Sequence, residues 1–236
     1  MDLITTGTGI EVILRWIHVL AGITWIGVLY YFNFIQTPFF GSELGGAAKG
    51  PMTRGLVPNA LWWFRWGAMF TFLSGWTIVA YRWGHLGIGL SDGYMTKILT
   101  GGIMGTLMWY NVWFVIWPAQ QVVIKNAEQV AAGGEPIPEA AARGGKAGMA
   151  SRTNTLFSIP MLFFMVSAAN LPSFLNGTND LVYWIVAGLI IAAVEVNGLI
   201  GPGAPTQKPL TSVSGTIHGG LALWLVLFLV GLFLNS

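Results

Sequence analysis

Arg15 and His18 lie within Arg15-Trp16-Ile17-His18-Val19-Leu20-Ala21-Gly22-Ile23-Thr24-Trp25-Ile26-Gly27, inside the first of several membrane-length apolar stretches. An ionisable group in hydrocarbon costs about 2.5 kcal/mol or more, so such side chains face a bundle interior, a cavity or a bound group. On a helix, Gly22 falls one turn beyond His18 and Trp25 two turns beyond. The imidazole therefore looks over a face that is small at its centre and flat at its edge. That face suits a haem ring with His18 as iron ligand, and b-type haem is the expected cofactor. Arg15, one turn outward, is placed to meet a haem propionate. His85 reaches the same outer side from the second apolar stretch and is a candidate second axial ligand, with Arg82 as a second propionate partner. Two bland alternatives stand beside this. A lone membrane histidine also hydrogen-bonds neighbouring helices, and His85, in Trp83-Gly84-His85-Leu86-Gly87, also fits an interfacial loop.

A second group lies deeper along the chain. Arg65, Glu195 and His218 come out at similar depth on the inner side when each apolar stretch is laid out at about 1.5 Å per residue. A buried carboxylate must be paired or protonated, and Arg65 and His218 are the partners at hand. The group fits a substrate, proton or second-haem site, and equally a structural ion pair. His218 is followed by Gly219-Gly220, a small surface beside an imidazole, so His18, His85 and His218 are the candidate metal ligands. Asn111, in Trp109-Tyr110-Asn111-Val112-Trp113-Phe114-Val115-Ile116-Trp117-Pro118, needs a hydrogen-bond partner at mid-membrane. Ser151-Arg152-Thr153-Asn154-Thr155 offers Thr153 or Asn154 as a helix cap and Arg152 as a counter-charge for a small anionic substrate or for lipid phosphate. Arg65, Asn111, Arg152, Glu195 and His218 thus form the candidate catalytic set.

The elements that must position these residues are membrane helices. The chain is 54% hydrophobic and 8% charged, with mean hydropathy +0.66, whereas soluble domains carry about 25% charge. This predicts a single all-α, polytopic domain over residues 1–236. Six spans fit the apolar runs, at 10–36, 59–83, 95–119, 153–172, 181–200 and 214–235. Phe40 to Pro58 reads as a Gly-rich loop. The longest loop, about 119–152, holds a helical extension near Val122 to Ala131 and then a flexible Ala/Gly strap from Ala132 to Gly148. Lys49, Arg54, Lys125, Arg143, Lys146, Arg152 and Lys208 gather on the odd-numbered loops, which puts those loops in the cytoplasm and both termini on the periplasmic side. The bacterial inner membrane is the expected location, and lipid the first partner. The net charge of +2 gives no reason to expect nucleic acid. With no cysteine, disulfides, iron–sulfur clusters and covalent haem attachment are excluded. Phosphate-binding Gly-Lys loops, zinc-protease helices and catalytic triads are absent.

Four ordered blocks carry a resemblance: RWIHVLAGITWIGVLYYFNFIQ (Arg15 to Gln36), VPNALWWFRWGAMFTFLSGW (Val57 to Trp76), WYNVWFVIWPAQQ (Trp109 to Gln121) and SRTNTLFSIPMLFFM (Ser151 to Met165). Together they resemble the membrane domain of bacterial membrane-bound urate oxidase, or urate hydroxylase. The resemblance implies an oxidoreductase passing substrate electrons to cytochrome c. Full-length members carry a C-terminal cytochrome c domain. This chain stops at Ser236 after the sixth span with no haem-attachment cysteine pair, so a separate cytochrome or another electron-transfer subunit is the expected acceptor. More distantly, the opening block resembles small membrane haem proteins of the protoporphyrinogen-oxidase type, which implies haem ligation at His18.

The favoured reading is a urate-hydroxylase-like membrane oxidoreductase with haem b. Its rivals are a non-catalytic haem subunit anchoring a larger respiratory or dehydrogenase complex, and a cofactor-free proton or anion carrier.

Overall fold

The computed structural model describes residues 6–176, 180–200 and 202–235, the side chain of Asp180 excepted. All regular structure there is helical. α1 (Gly7–Tyr30) runs through a π-helical turn (Tyr31–Gln36) into the short α2 (Thr37–Phe40). α3 (Glu43–Gly84) follows, then α4 (Gly93–Tyr110), a second π turn (Asn111–Ile116) and α5 (Trp117–Ala131). α6 (Ala140–Asn170), α7 (Asp180–Leu199), a 3-10 segment (Pro205–Thr211) and α8 (Val213–Leu234) complete the order.

Helix starts are set by caps that satisfy otherwise orphaned N–H groups. Thr6 Oγ1 accepts from Gly9 N, Ser42 Oγ from Gly45 N, Asp92 Oδ1 from Tyr94 N and Ser212 Oγ from Gly215 N. Two expected loops prove helical. The Phe40 to Pro58 region is α3 from Glu43 onward: Ser42 caps the helix early, and it runs on through Pro51 and Pro58, which lie inside it. Half of the expected strap is the start of α6, from Ala140, since its alanines favour helix and its glycines are tolerated once Ala140, Ala147 and Ala150 are buried. The helical extension to Ala131 is present as α5. Thr153 and Asn154 do not cap a helix: both lie inside α6.

Among the described residues, four helical rods are long and apolar enough to cross a membrane: Gly7–Phe40, Gly93–Ala131, Leu181–Leu199 and Val213–Leu234. That pattern is consistent with a multi-pass membrane protein. α3 and α6 contain the expected second and fourth spans, but charged and polar residues dilute them. In α6 the reason is position. It packs against α1, α4, α5, α7 and α8, so protein covers much of it, and it can carry Thr153, Asn154, Thr155 and Ser158 fully buried. α1 packs most extensively on α3. They approach closely because Gly67 has no side chain: a Cβ there would sit 3.1 Å from Trp25 N and 3.3 Å from Ala21 O. Small residues at the interface are how helices associate where lipid removes the usual hydrophobic drive. The outer faces expose Trp16, Ile23, Trp62, Trp63, Leu189 and Phe233.

Candidate functional site

His18 on α1 faces α3. Its Nδ1 lies 2.9 Å from Thr71 O and 3.1 Å from Ser74 Oγ. A carbonyl only accepts, so Nδ1 carries the hydrogen and Nε2 keeps its lone pair. Nε2 has no hydrogen-bond partner among the described residues. Gly75 makes room for the ring, since a Cβ there would come within 2.9 Å of His18 Cε1. An imidazole with one nitrogen anchored to a backbone carbonyl and the other open is the arrangement of a metal-ligating histidine with its orienting second shell.

His18 lines a cavity of about 660 Å³ enclosed by α1, α3, α4 and α6. Its walls are mainly apolar, with Gly22, Gly75, Gly102 and Gly105 opening space and Met95, Met161 and Met165 opposing the α1–α3 side. A volume of this size suits a cofactor-sized molecule. Trp25 forms part of the wall, and its buried Nε1–H has no acceptor. Arg15 and Arg82 stand at one end. Both hydrogen-bond Glu11, Arg82 through Nε at 2.9 Å and Nη2 at 2.6 Å, and Arg82 also lies over the Tyr94 ring at 4.2 Å. Two guanidinium groups share one carboxylate oxygen, so that end of the cavity stays net positive. The cluster of Arg15, His18, Gly22, Trp25 and Arg82 is thus assembled around one space.

His85 does not join it. It is exposed, stacks on Tyr81 at 5.0 Å and caps the far end of α3. From Gly75 to His85 is about 15 Å of helical rise, too far for two ligands of one iron.

The inner group separates as well. Glu195 on α7 meets neither Arg65 nor His218. Its Oε2 accepts from Asn111 Nδ2 at 3.1 Å. Arg65 lies flat over Trp117 at 3.5 Å, with Trp113 at 5.3 Å and Nε on Leu61 O, a cation–π seat in place of an ion pair. His218 is exposed and turns Nδ1 to Ser214 O at 2.8 Å. The glycines after it serve helix packing: an added Cβ would lie 3.0 Å from Leu156 Cδ1 at Gly219 and 2.8 Å from Leu156 O at Gly220. Arg152 donates through Nη1 to Leu210 O at 3.3 Å and so ties α6 to the 3-10 segment. His18, His85 and His218 stay apart, and among the described residues no three His, Cys, Asp or Glu side chains could hold a metal ion.

Around Asn111 and Glu195 a buried polar knot forms instead. Asn111 Nδ2 also reaches Asn154 Oδ1 at 2.9 Å, and Asn154 Nδ2 reaches Met108 O at 2.9 Å. Nearby on α6, Ser151 Oγ accepts from Asn33 and Ser158 pairs with Tyr30. Asn33 and Asn111 each sit in a π turn, a feature frequent at functional sites because it re-aims side chains and loosens one carbonyl. Sequence reading passed over Asn33, Tyr30 and Ser158, and the only signal was the Ser/Thr/Asn stripe at helical spacing in α6. Lys97 was also missed: fully buried, its Nζ caps the end of α6 through Leu171 O at 2.9 Å and Phe174 O at 2.5 Å.

Residues 78–198, just over half of the chain, match the model of the urate oxidase N-terminal family. The chain belongs to this family. The matched segment of the urate oxidase N-terminal family takes in Arg82, Asn111, Arg152 and Glu195, with two of the four resembling blocks, and leaves out Arg15, His18, Gly22, Trp25, Arg65 and His218. No curated protein and no solved structure matches the chain.

Proposed function

We propose that this chain is the haem-b-binding domain of a urate-hydroxylase-like oxidoreductase of the bacterial inner membrane, passing electrons to a cytochrome c or equivalent subunit. In this reading the six long rods all span, the odd-numbered loops face the cytoplasm and both termini face outward. The exposed aromatic face of α3 at Trp62, Trp63 and Trp66 supports a lipid contact for that helix. The substrate is a small anion of the urate type.

The observation that carries the reading is His18, with Nδ1 bonded to Thr71 O, Nε2 open and a cavity of about 660 Å³ in front of it. The residues fit a haem. His18 would ligate the iron, Gly22 and Gly75 leave the ring space, and Arg15 and Arg82 meet the propionates, loosening their hold on Glu11. Trp25 contributes its ring to the same wall. When bound, the haem supplies one-electron transfer. The protein's part is to fix the His18 tautomer through Thr71 and Ser74, exclude water with the apolar walls, and hold positive charge at one end.

The test is an oxidised-minus-reduced visible spectrum of detergent-purified protein, with a pyridine haemochrome assay of haem per chain. A b-type spectrum that disappears in His18→Ala is expected. A well-folded protein without haem, or unchanged haem content in His18→Ala, overturns the reading.

A further inference from the structure

The polar knot around Glu195 has an internal logic that fixes every polar side-chain atom but two. The Met108 carbonyl only accepts, so Asn154 must present Nδ2 to it, at 2.9 Å. Asn154 therefore turns Oδ1 to Asn111, which must answer with Nδ2, at 2.9 Å. The second hydrogen of that same Nδ2 goes to Glu195 Oε2, at 3.1 Å. Two oxygens are left, Asn111 Oδ1 and Glu195 Oε1. Both are buried and neither has a hydrogen-bond partner among the described residues. They belong to an amide and a carboxyl already joined through their other atoms.

An ionised Glu195 would make both of these atoms acceptors with no donor and would leave a charge unpaired in the protein interior. The cations of the neighbouring elements are spoken for. Arg65 of α3 stacks on Trp117, Lys97 of α4 caps α6, Arg152 of α6 bonds Leu210 O, and His218 of α8 is exposed. Glu195 itself is only 6% exposed and Asn111 and Asn154 not at all, so the carboxyl is out of reach of bulk solvent.

We propose that Glu195 is a buried proton-binding site, carrying its proton on Oε1 and donating it to Asn111 Oδ1 in a closed acid–amide ring. In that ring Asn111 Nδ2–H donates to Oε2 while Oε1–H donates to Oδ1, and all four polar atoms are used. The ligand of the site is a proton and not a metal ion. The inference stands apart from whatever fills the cavity beside His18.

The experiment is infrared spectroscopy of the purified full chain and of Glu195→Gln at neutral pH, in water and in deuterium oxide, with thermal melting in sodium and in choline chloride at equal ionic strength. Expected are a carboxylic-acid carbonyl band that shifts in deuterium oxide and is missing from the variant, and melting indifferent to sodium. Glu195→Gln should melt with the parent, because its amide oxygen and nitrogen reproduce the acceptor and the donor of the ring. Asn111→Leu should lower the melting temperature and displace the band. No acid band assignable to Glu195, failure of Glu195→Gln to fold, or sodium-dependent melting that this variant abolishes would each overturn the proposal, the last by assigning the site to a cation.

Discussion

Along one face of α6 the side chains run Ser151, Asn154 and Ser158, then Met161, Met165 and Ala169. The first half meets Asn33, Asn111 and Tyr30 in a knot of side-chain hydrogen bonds. The second half is a wall of the cavity that His18 lines. In the knot, polar groups are many, near one another and mutually oriented. In the cavity they are few and left with capacity: His18 Nε2 and the shared cations of Arg15 and Arg82. The difference teaches where to look for a ligand. Spare hydrogen-bonding capacity facing open volume marks a place for a molecule. Spare capacity on two buried oxygens that share an amide–carboxyl pair marks a place for a proton.

If the two halves of α6 do separate work, breaking one should spare the other. The largest effect is expected from Asn154→Leu. It leaves one buried Asn111 Nδ2–H without its acceptor, at about 1–3 kcal/mol, and removes the side-chain bond to the Met108 carbonyl, which keeps its backbone donor. Thermal melting should fall by several degrees while haem per folded chain, by pyridine haemochrome, stays at the parent value. Loss of haem in the protein that remains folded would show that the knot shapes the cavity.

Gly75→Leu attacks the cavity from its wall. Even a Cβ added at Gly75 would come within 2.9 Å of His18 Cε1, so a branched side chain must push the imidazole aside. Overpacking of this kind costs about 1–3 kcal/mol. The expected result is haem content reduced at least tenfold with a smaller drop in melting than Asn154→Leu shows. Full haem retention would mean that the ring moves freely and that Thr71 does not set its orientation.

The cavity group was legible in the sequence because its α1 members lie on one helix, and spacing along a helix fixes direction as well as depth. His18, Gly22 and Trp25 share a face by arithmetic alone. The Arg65, Glu195 and His218 group failed for the complementary reason. Rise per residue gives depth, but which way each side chain turns depends on which helices are neighbours, and Arg65 had two indoles within reach that no spacing rule shows. Asn111 was singled out because an amide in mid-membrane requires a partner, yet its partners lie 43 and 84 residues away. Glu11 drew no attention at the margin of the first span, and in the structure it organises both arginines at the cavity end. Long-range pairs of this kind have no local signature.

The smallest effects should come from those arginines, and they sharpen the comparison by asking whether charge at the cavity end is there for the protein or for its ligand. Arg82 has a side chain 18% exposed, two bonds to Glu11 and the Tyr94 ring beneath it, whereas Arg15 is 54% exposed with Glu11 alone. Exposed ion pairs contribute about 0–1 kcal/mol. Arg15→Gln should therefore leave melting within a degree or so of the parent, and Arg82→Gln should lower it modestly. Haem retention on dilution should rank them differently if both meet propionates: each variant should lose haem faster than the parent, by a comparable factor. If only Arg82→Gln loses haem, and in proportion to its lost stability, the arginines serve Glu11 and the fold. If Arg15→Gln loses haem at unchanged melting, the positive end of the cavity is part of a binding site, and its charge is held by Glu11 until an anion arrives.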